Sequence, residues 1–215
     1  MCGAFSIRIN PYEAREIHDA AVLPWKPIYN ARPGEWLPII TEAKPNAITS
    51  AYWGFLPHWM DPKKGKAVIN ARGETLAEKP YFRSAVAGQR CIIPADGFYE
   101  WQASAKGKIP YFFHRRDDKP FAFAGVYDIV PGKKDELGFA IITTTPNALV
   151  GKVHDRMPVM LPDDIVDEWL NPDTTADAAV KFLKPYPEKL MAAYAVSRAV
   201  NLAKNKGKEV LETVE

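Results

Sequence analysis

Gly97-Phe98-Tyr99-Glu100-Trp101 alternates large side chains across two faces, and the segments after it repeat the pattern. Ala103 to Gly107 turns the chain back, and Ile109 to His114 returns as a second strand. Pro120 to Val130 and Leu137 to Thr144 are two more strongly apolar segments, with Gly132 marking the turn between them. Consecutive β segments joined by short turns predict a mostly antiparallel curved sheet or barrel. Upstream, Cys2 to Arg8, Trp36 to Thr41 and Ile48 to Phe55 read as strands, Pro38 being compatible with an edge position. Ala67 to Asn70 reads as a strand ending at Asn70-Ala71-Arg72. Tyr12 to Ala21, Glu74 to Gln89 (starting at Pro80 at the latest), 162–170 and 174–183 carry helical signals, and Ala148 to Val153 fits a short helix. Leu190 to Val196 is a last strand, and Lys204 to Lys208 reads as a polar, mobile tail. The expected class is α+β: one domain over residues 1–215, with a barrel-like β core and flanking helices.

Bulk properties narrow the function. With 47% hydrophobic and 25% charged residues in 215, the chain can build a sizeable core and is not globally disordered. Two cysteines, Cys2 and Cys91, do not make a disulfide scaffold, and a reduced intracellular setting is the simpler reading. Cys91, inside apolar Cys91-Ile92-Ile93-Pro94, reads as a quiet core thiol. The four histidines are far apart and no zinc spacing occurs, so no metal is expected. Glycine-rich phosphate loops and dinucleotide fingerprints are missing, so no cofactor is expected. No signal peptide and no 18-residue apolar run appear. Net charge is only +2, but Asp61 to Arg90 holds seven Lys/Arg against three acids, a local basic excess that can meet phosphates or simply be a solvated face.

The chemistry-bearing residues are few. Cys2 follows the initiator Met1, and its small side chain favours trimming of Met1. The product carries an α-amine of pKa about 7.7–8.0 and a thiol of pKa about 8.5 in unperturbed form. Such a 1,2-aminothiol can condense with an aldehyde and close a five-membered thiazolidine, which no internal cysteine can do. The alternative is an ordinary residue near a chain end. Glu100 shares a strand face with Phe98. If that face is inward, burial raises its pKa and suits it to moving a proton; an outward edge-strand Glu is the alternative. His154, in Val153-His154-Asp155-Arg156-Met157-Pro158, is either a structural hydrogen-bonding group or a proton shuttle. Asn70 and Arg72 point the same way from a strand end, the first able to orient a reacting group, the second to fork onto a phosphate. In Trp53-Gly54-Phe55-Leu56-Pro57-His58-Trp59, Trp53 fits the core, and Trp59 fits core or a base-stacking platform.

Taken together, Met1-Cys2-Gly3, Tyr29 to Gly34, Trp53 to Trp59, Asn70 to Thr75, Arg90 to Pro94, Gly97 to Trp101, His154 to Pro158, and Val196-Ser197 with Val200-Asn201 strongly resemble the SRAP (SOS response-associated peptidase) family of abasic-site-processing proteins. The resemblance spans nearly the whole chain. It implies covalent capture of abasic sites in single-stranded DNA by Cys2 after loss of Met1, with self-processing peptidase activity. It implies pocket roles for Asn70, Glu100 and His154, and DNA contacts at Arg72, Pro33, Trp59, Met60, Arg156, Met157 and Pro158. Two positions depart from common family forms: Ala4 stands where Arg is frequent, and Met60 where some members have a second Trp. The expected partner is single-stranded DNA containing abasic sites, with replication-associated proteins as further candidates. A cytoplasmic, nucleoid-associated monomer without membrane contact is expected. The rival readings are a thiol peptidase acting on other proteins through Cys2 and His154, and a non-catalytic DNA binder.

Overall fold

The computed structural model describes residues 2–8, 26–105 and 107–214. The helix expected over residues 12–21 lies outside them. Within the described residues the strands are β1 (Phe5–Ile7), β2 (Ile28–Ala31), β3 (Trp36–Thr41), β4 (Lys44–Trp53), β5 (Asn70–Arg72), β6 (Arg90–Ala95) and β7 (Gly97–Ser104). They continue with β8 (Gly107–Arg115), β9 (Phe121–Ile129), β10 (Leu137–Thr144), β11 (Met157–Pro158), β12 (Met160–Leu161) and β13 (Met191–Ala195).

Five of these strands close on themselves. β4 pairs with β3, β3 with β6, β6 with β9 and β9 with β10, all antiparallel, and β10 returns to β4 in parallel through Gly138↔Tyr52 and Phe139↔Trp53. Closure removes free edges, and β5 then adds in parallel to β10 at Ile141↔Asn70. A second, five-stranded sheet runs in the order β13-β8-β7-β1-β2. Pro38 is tolerated because β6 reaches β3 only at Ile40 and Thr41, which leaves Pro38 on an open stretch of strand.

The period-two pattern divides the barrel strands between two cores. Ile39, Ile93, Phe123 and Ile141 share one apolar cluster with Cys2, Phe5 and Phe98 of the second sheet. Their neighbours Ile40, Ile92, Ala124 and Ile142 share the other with residues of the helices α1 (Arg83–Gly88), α2 (Val166–Leu170) and α3 (Ala176–Ala179). Trp53 is fully buried as expected, edge-on to Phe5 at 5.0 Å and stacked on Phe139 at 6.2 Å. Gly138 is required where β10 passes the 53–55 turn, since a Cβ there would lie 2.6 Å from the Gly54 carbonyl oxygen.

Several expectations need correction. The helix expected over 74–89 survives only as α1 plus a 3-10 turn at Gly73–Thr75, because Pro80 has no amide hydrogen and disfavours helical geometry at Lys79. The strand expected over 67–70 begins instead at Asn70, where β10 supplies a partner. Arg90 is no part of a basic face: it is fully buried, with Nη2 3.0 Å from Glu42 Oε2. The 204–208 segment is pinned rather than loose. Asn30 Nδ2 donates to the Val200, Leu202 and Asn205 carbonyls, and Lys206 reaches the Asn30 carbonyl and Glu35. Thr175 caps α3, accepting from the Ala178 amide. Cys2 and Cys91 are both free and buried.

Candidate active site and nucleic-acid interface

Four residues predicted from sequence meet where the second sheet faces the barrel. Cys2 precedes β1, whose register against β7 sets Phe5 opposite Phe98. The Tyr99 amide donates to the Ala4 carbonyl at 3.0 Å, so continuing the register brings Glu100 abreast of the Cys2-Gly3 segment. Glu100 therefore faces inward and is 2% exposed. Asn70 comes from the other sheet. Its Nδ2 donates to the Cys2 carbonyl at 2.9 Å, and its buried Oδ1 has no hydrogen-bond partner among the described residues. Its position is set from behind: the Ile69 carbonyl accepts from Trp53 Nε1 at 2.9 Å and from the Ile141 amide at 3.1 Å.

His154 arrives on the 145–156 connection, which β10 and β11 close through Thr144↔Met157 and Thr143↔Pro158. Asn147 Nδ2 anchors this connection to the Tyr186 carbonyl, and Gln102 Nε2 ties it to β7 through the Lys152 carbonyl. His154 Nε2 lies 3.9 Å from Glu100 Oε2. Nδ1 accepts from the Arg156 amide at 3.0 Å, which in the neutral ring leaves the proton on Nε2, toward Glu100. Asp155 Oδ1 is also 2.9 Å from Nδ1; its carboxylate is 89% exposed and complements the imidazolium form.

The electrostatics follow from burial. Desolvation pushes the Glu100 carboxyl above its ordinary range, opposed in part by His154. Desolvation, then the Glu100 charge, pushes the Cys2 thiol well up, with Arg32 acting in the opposite direction. Because the folded-state pKa of Glu100 is raised, the native state holds this proton more tightly than the unfolded chain. The resulting stability is present below the unfolded value and is lost as pH rises through the folded one. Glu100→Gln is therefore expected to gain melting temperature over the native protein as pH is raised from 4 to 8. A gap that is constant across that range would contradict the raised carboxyl.

The residues expected to contact DNA separate into two groups. Pro33 and Arg72 are exposed, Trp59 is 51% exposed with its ring edge-on to Tyr81 at 6.5 Å, and Met60 is half-buried. Exposed Lys63, Lys64 and Lys66 share the 56–67 loop with Trp59. Met157 and Pro158, by contrast, are buried as β11, where they close the connection that carries His154. Arg156 is engaged with protein groups. Its two Nη atoms grip Glu74 at 2.7 and 2.8 Å, and Nη2 also donates to the Thr143 carbonyl. Ala4 is fully buried beside Tyr99 and Phe112.

Arg32 is a residue that the sequence alone gives no role. Its guanidinium lies 5.4 Å over the Trp101 ring, its Nε donates to Asn30 Oδ1, and its Nη2 meets the Val200 carbonyl. Its charge bears on the Cys2 thiol. The only signal for it is its place inside the Tyr29 to Gly34 motif.

An amide holding the carbonyl of a cysteine near the chain start, with a buried carboxylate and a histidine alongside, defines a protein organised around an amino-terminal cysteine. The chain belongs to the SOS response associated peptidase (SRAP) family, whose pattern matches residues 1–203. It is 44% identical over 195 residues to the abasic site processing protein YoqW of Bacillus subtilis, covering 88% of this chain and 87% of that one. It is 30% identical over 190 residues to the abasic site processing protein YedK of Escherichia coli, covering 86% and 84%. A crystal structure of a protein from Bacteroides thetaiotaomicron superposes with a TM-score of 0.86 at 26% identity, covering 99% of this chain and all of that one. Among the described residues no helix is long and apolar enough to cross a membrane.

Proposed function

We propose that residues 1–215 act as one abasic-site processing domain that captures the lesion in single-stranded DNA as a thiazolidine on Cys2. The observation that carries this reading is the Asn70 hydrogen bond to the Cys2 carbonyl beside the Glu100–His154 pair, in a chain of this family. The Cys2 amine becomes available only when the Met1–Cys2 peptide bond is hydrolysed. The Cys2 thiol attacks the Met1 carbonyl with Glu100 assisting, and water releases methionine. In the capture step, His154 works as acid and base to open the sugar ring to its aldehyde. The amine adds to C1′, Glu100 moves the proton, and water leaves to give the imine. The thiol then adds across the C=N bond, its proton passing to nitrogen. One water is lost overall.

Asn70 supplies orientation, which accounts for much of the rate in reactions of held partners. Arg72 and the loop lysines hold flanking phosphates, while Pro33 and Trp59 splay the strand at the lesion. The ring ends the β-elimination that a free imine promotes, so the strand is shielded rather than cut. The site of action is the cell interior, at the nucleoid in a bacterium. The rival reading, a thiol peptidase acting on other proteins through Cys2 and His154, predicts turnover of added peptides in place of a DNA adduct.

Intact mass after incubation with single-stranded DNA bearing one abasic site tests the scheme. The expected species is the protein without Met1, plus DNA, minus one water, stable to denaturation. Absence of that species from protein whose Met1 is verifiably gone would overturn it. The platform role has its own check. Trp59→Ala is expected to weaken single-strand binding by roughly 5- to 150-fold, the equivalent of about 1–3 kcal/mol for one stacked base, without changing the melting temperature. Unchanged affinity by fluorescence anisotropy would remove Trp59 from the interface.

A further inference from the structure

The 56–67 loop that presents Trp59 leaves the barrel at Phe55 and returns at Val68, and these two residues form an antiparallel bridge through both of their amides. Two residues later the chain reaches Asn70, so this loop and the reacting pocket share a base. The bridge fixes the base of the loop but not the direction of its arm. On one side the Tyr81 hydroxyl donates to the Lys66 carbonyl at 2.7 Å, and Tyr81 offers its ring to Trp59. On the other side stands Asp128, near the end of β9 and 1% exposed.

Asp128 is a buried carboxylate surrounded by donors. Its Oδ2 accepts from the His58 amide at 2.9 Å and lies 2.9 Å from His58 Nδ1. Its Oδ1 accepts from Gln89 Nε2 at 2.9 Å and from the Ile129 amide at 2.7 Å. A buried carboxylate is costly unless its oxygens are satisfied, and here two of the four donating groups belong to the residue preceding Trp59. The Asp128 backbone is itself held in the barrel, opposite Gly138. His58 is 57% exposed by its side chain, so the pair is not explained by burial of the imidazole.

We infer that Asp128, acting through His58, is a positioning residue that aims the Trp59 loop at the DNA strand. The inference rests on the DNA-binding reading of Trp59. Asp128 is enclosed by protein and touches no DNA. It holds the peptide immediately before the platform in one orientation, so binding does not have to order the loop first. Rigid placement from the barrel rim explains why a half-exposed tryptophan has a defined direction although its only ring partner among the described residues is Tyr81.

The test is a double-mutant cycle on single-stranded DNA without an aldehyde, read by anisotropy, with adduct formation at saturating abasic DNA as the second readout. Asp128→Asn is expected to lose affinity to a similar extent as Trp59→Ala, and Asp128→Asn/Trp59→Ala to bind no more weakly than Trp59→Ala alone. Adduct formation by Asp128→Asn at saturation is expected to stay within about twofold of native, because Cys2, Glu100 and His154 hang from other elements and the Phe55–Val68 bridge holds the base of the loop at Asn70. His58→Ala removes the side-chain half of the latch from an exposed position and is expected to show an intermediate loss. It keeps the test decisive if Asp128→Asn folds poorly. Native affinity in both His58→Ala and Asp128→Asn, or losses that add to that of Trp59→Ala, would overturn the inference. If Trp59→Ala itself binds as the native protein does, the platform reading fails first and the inference falls with it.

Discussion

The native protein is expected to yield a denaturation-stable adduct with abasic single-stranded DNA, whereas Cys2→Ala and Cys2→Ser are expected to yield a cut strand in its place. The contrast separates the two functional groups of the residue. Alanine keeps the amine but removes the nucleophile that closes the ring. Serine keeps both the amine and a β-heteroatom, but its hydroxyl is a far weaker nucleophile than a thiol. Self-removal of Met1 needs the thiol, so both variants are prepared with Met1 already absent; each then forms the imine, and an imine without ring closure favours β-elimination at the 3′ phosphate. Gel analysis of labelled DNA and intact mass of the protein report the two fates together. The Cys2 carbonyl accepts from Asn70 through the backbone, so neither variant disturbs that contact. Adduct at the native level from Cys2→Ala would mean that another group captures the lesion and that the pocket has been assigned the wrong nucleophile.

Arg90→Ala is expected to lower the melting temperature by roughly 6–20 °C, taking a cost of about 3–5 kcal/mol for breaking a buried pair and about 2–4 °C per kcal/mol at this size. Arg90 is fully buried and joins three elements. Nε donates to the Trp169 carbonyl at 2.8 Å, Nη1 to the Val86 carbonyl at 2.9 Å, and Nη2 to the Asn171 carbonyl at 2.7 Å. Its truncation strands those carbonyls and leaves Glu42, whose side chain is 8% exposed, without its cation. Burial already pushes the Glu42 carboxyl up, and Arg90 is the charge that opposes this. Arg90→Met with Glu42→Gln is therefore expected to recover part of what Arg90→Met alone loses, because the uncompensated charge is gone. A melting temperature for Arg90→Ala within about 2 °C of native would show that the pair contributes little.

The two results rest on contacts of different legibility. Cys2 stands out in the sequence because its chemistry depends on covalent position, next to Met1, and not on packing. The buried side of Glu100 is legible because alternation in a strand is local, so Phe98 and Glu100 share a face wherever the strand lies. The strands of the barrel are legible for the same reason, as is Trp53 in the core.

This local layer, together with the candidates for the reacting groups, is written in the chain itself. Which segments meet is settled by the packed fold. Arg90 reads as part of a basic face because nothing near it in sequence marks Glu42, Trp169 and Asn171 as its partners. Met157 and Pro158 read as DNA contacts, and only their pairing with β10 turns them into a buried strand. The helix expected over 74–89 breaks at Pro80, and the 204–208 segment is held by Asn30 and Glu35, from the opposite end of the chain. Periodicity is set by neighbours a few bonds apart. Burial of a charge, docking of a tail and the latch at Asp128 depend on chain closure over long separations, where many partners are available and the packed fold selects one.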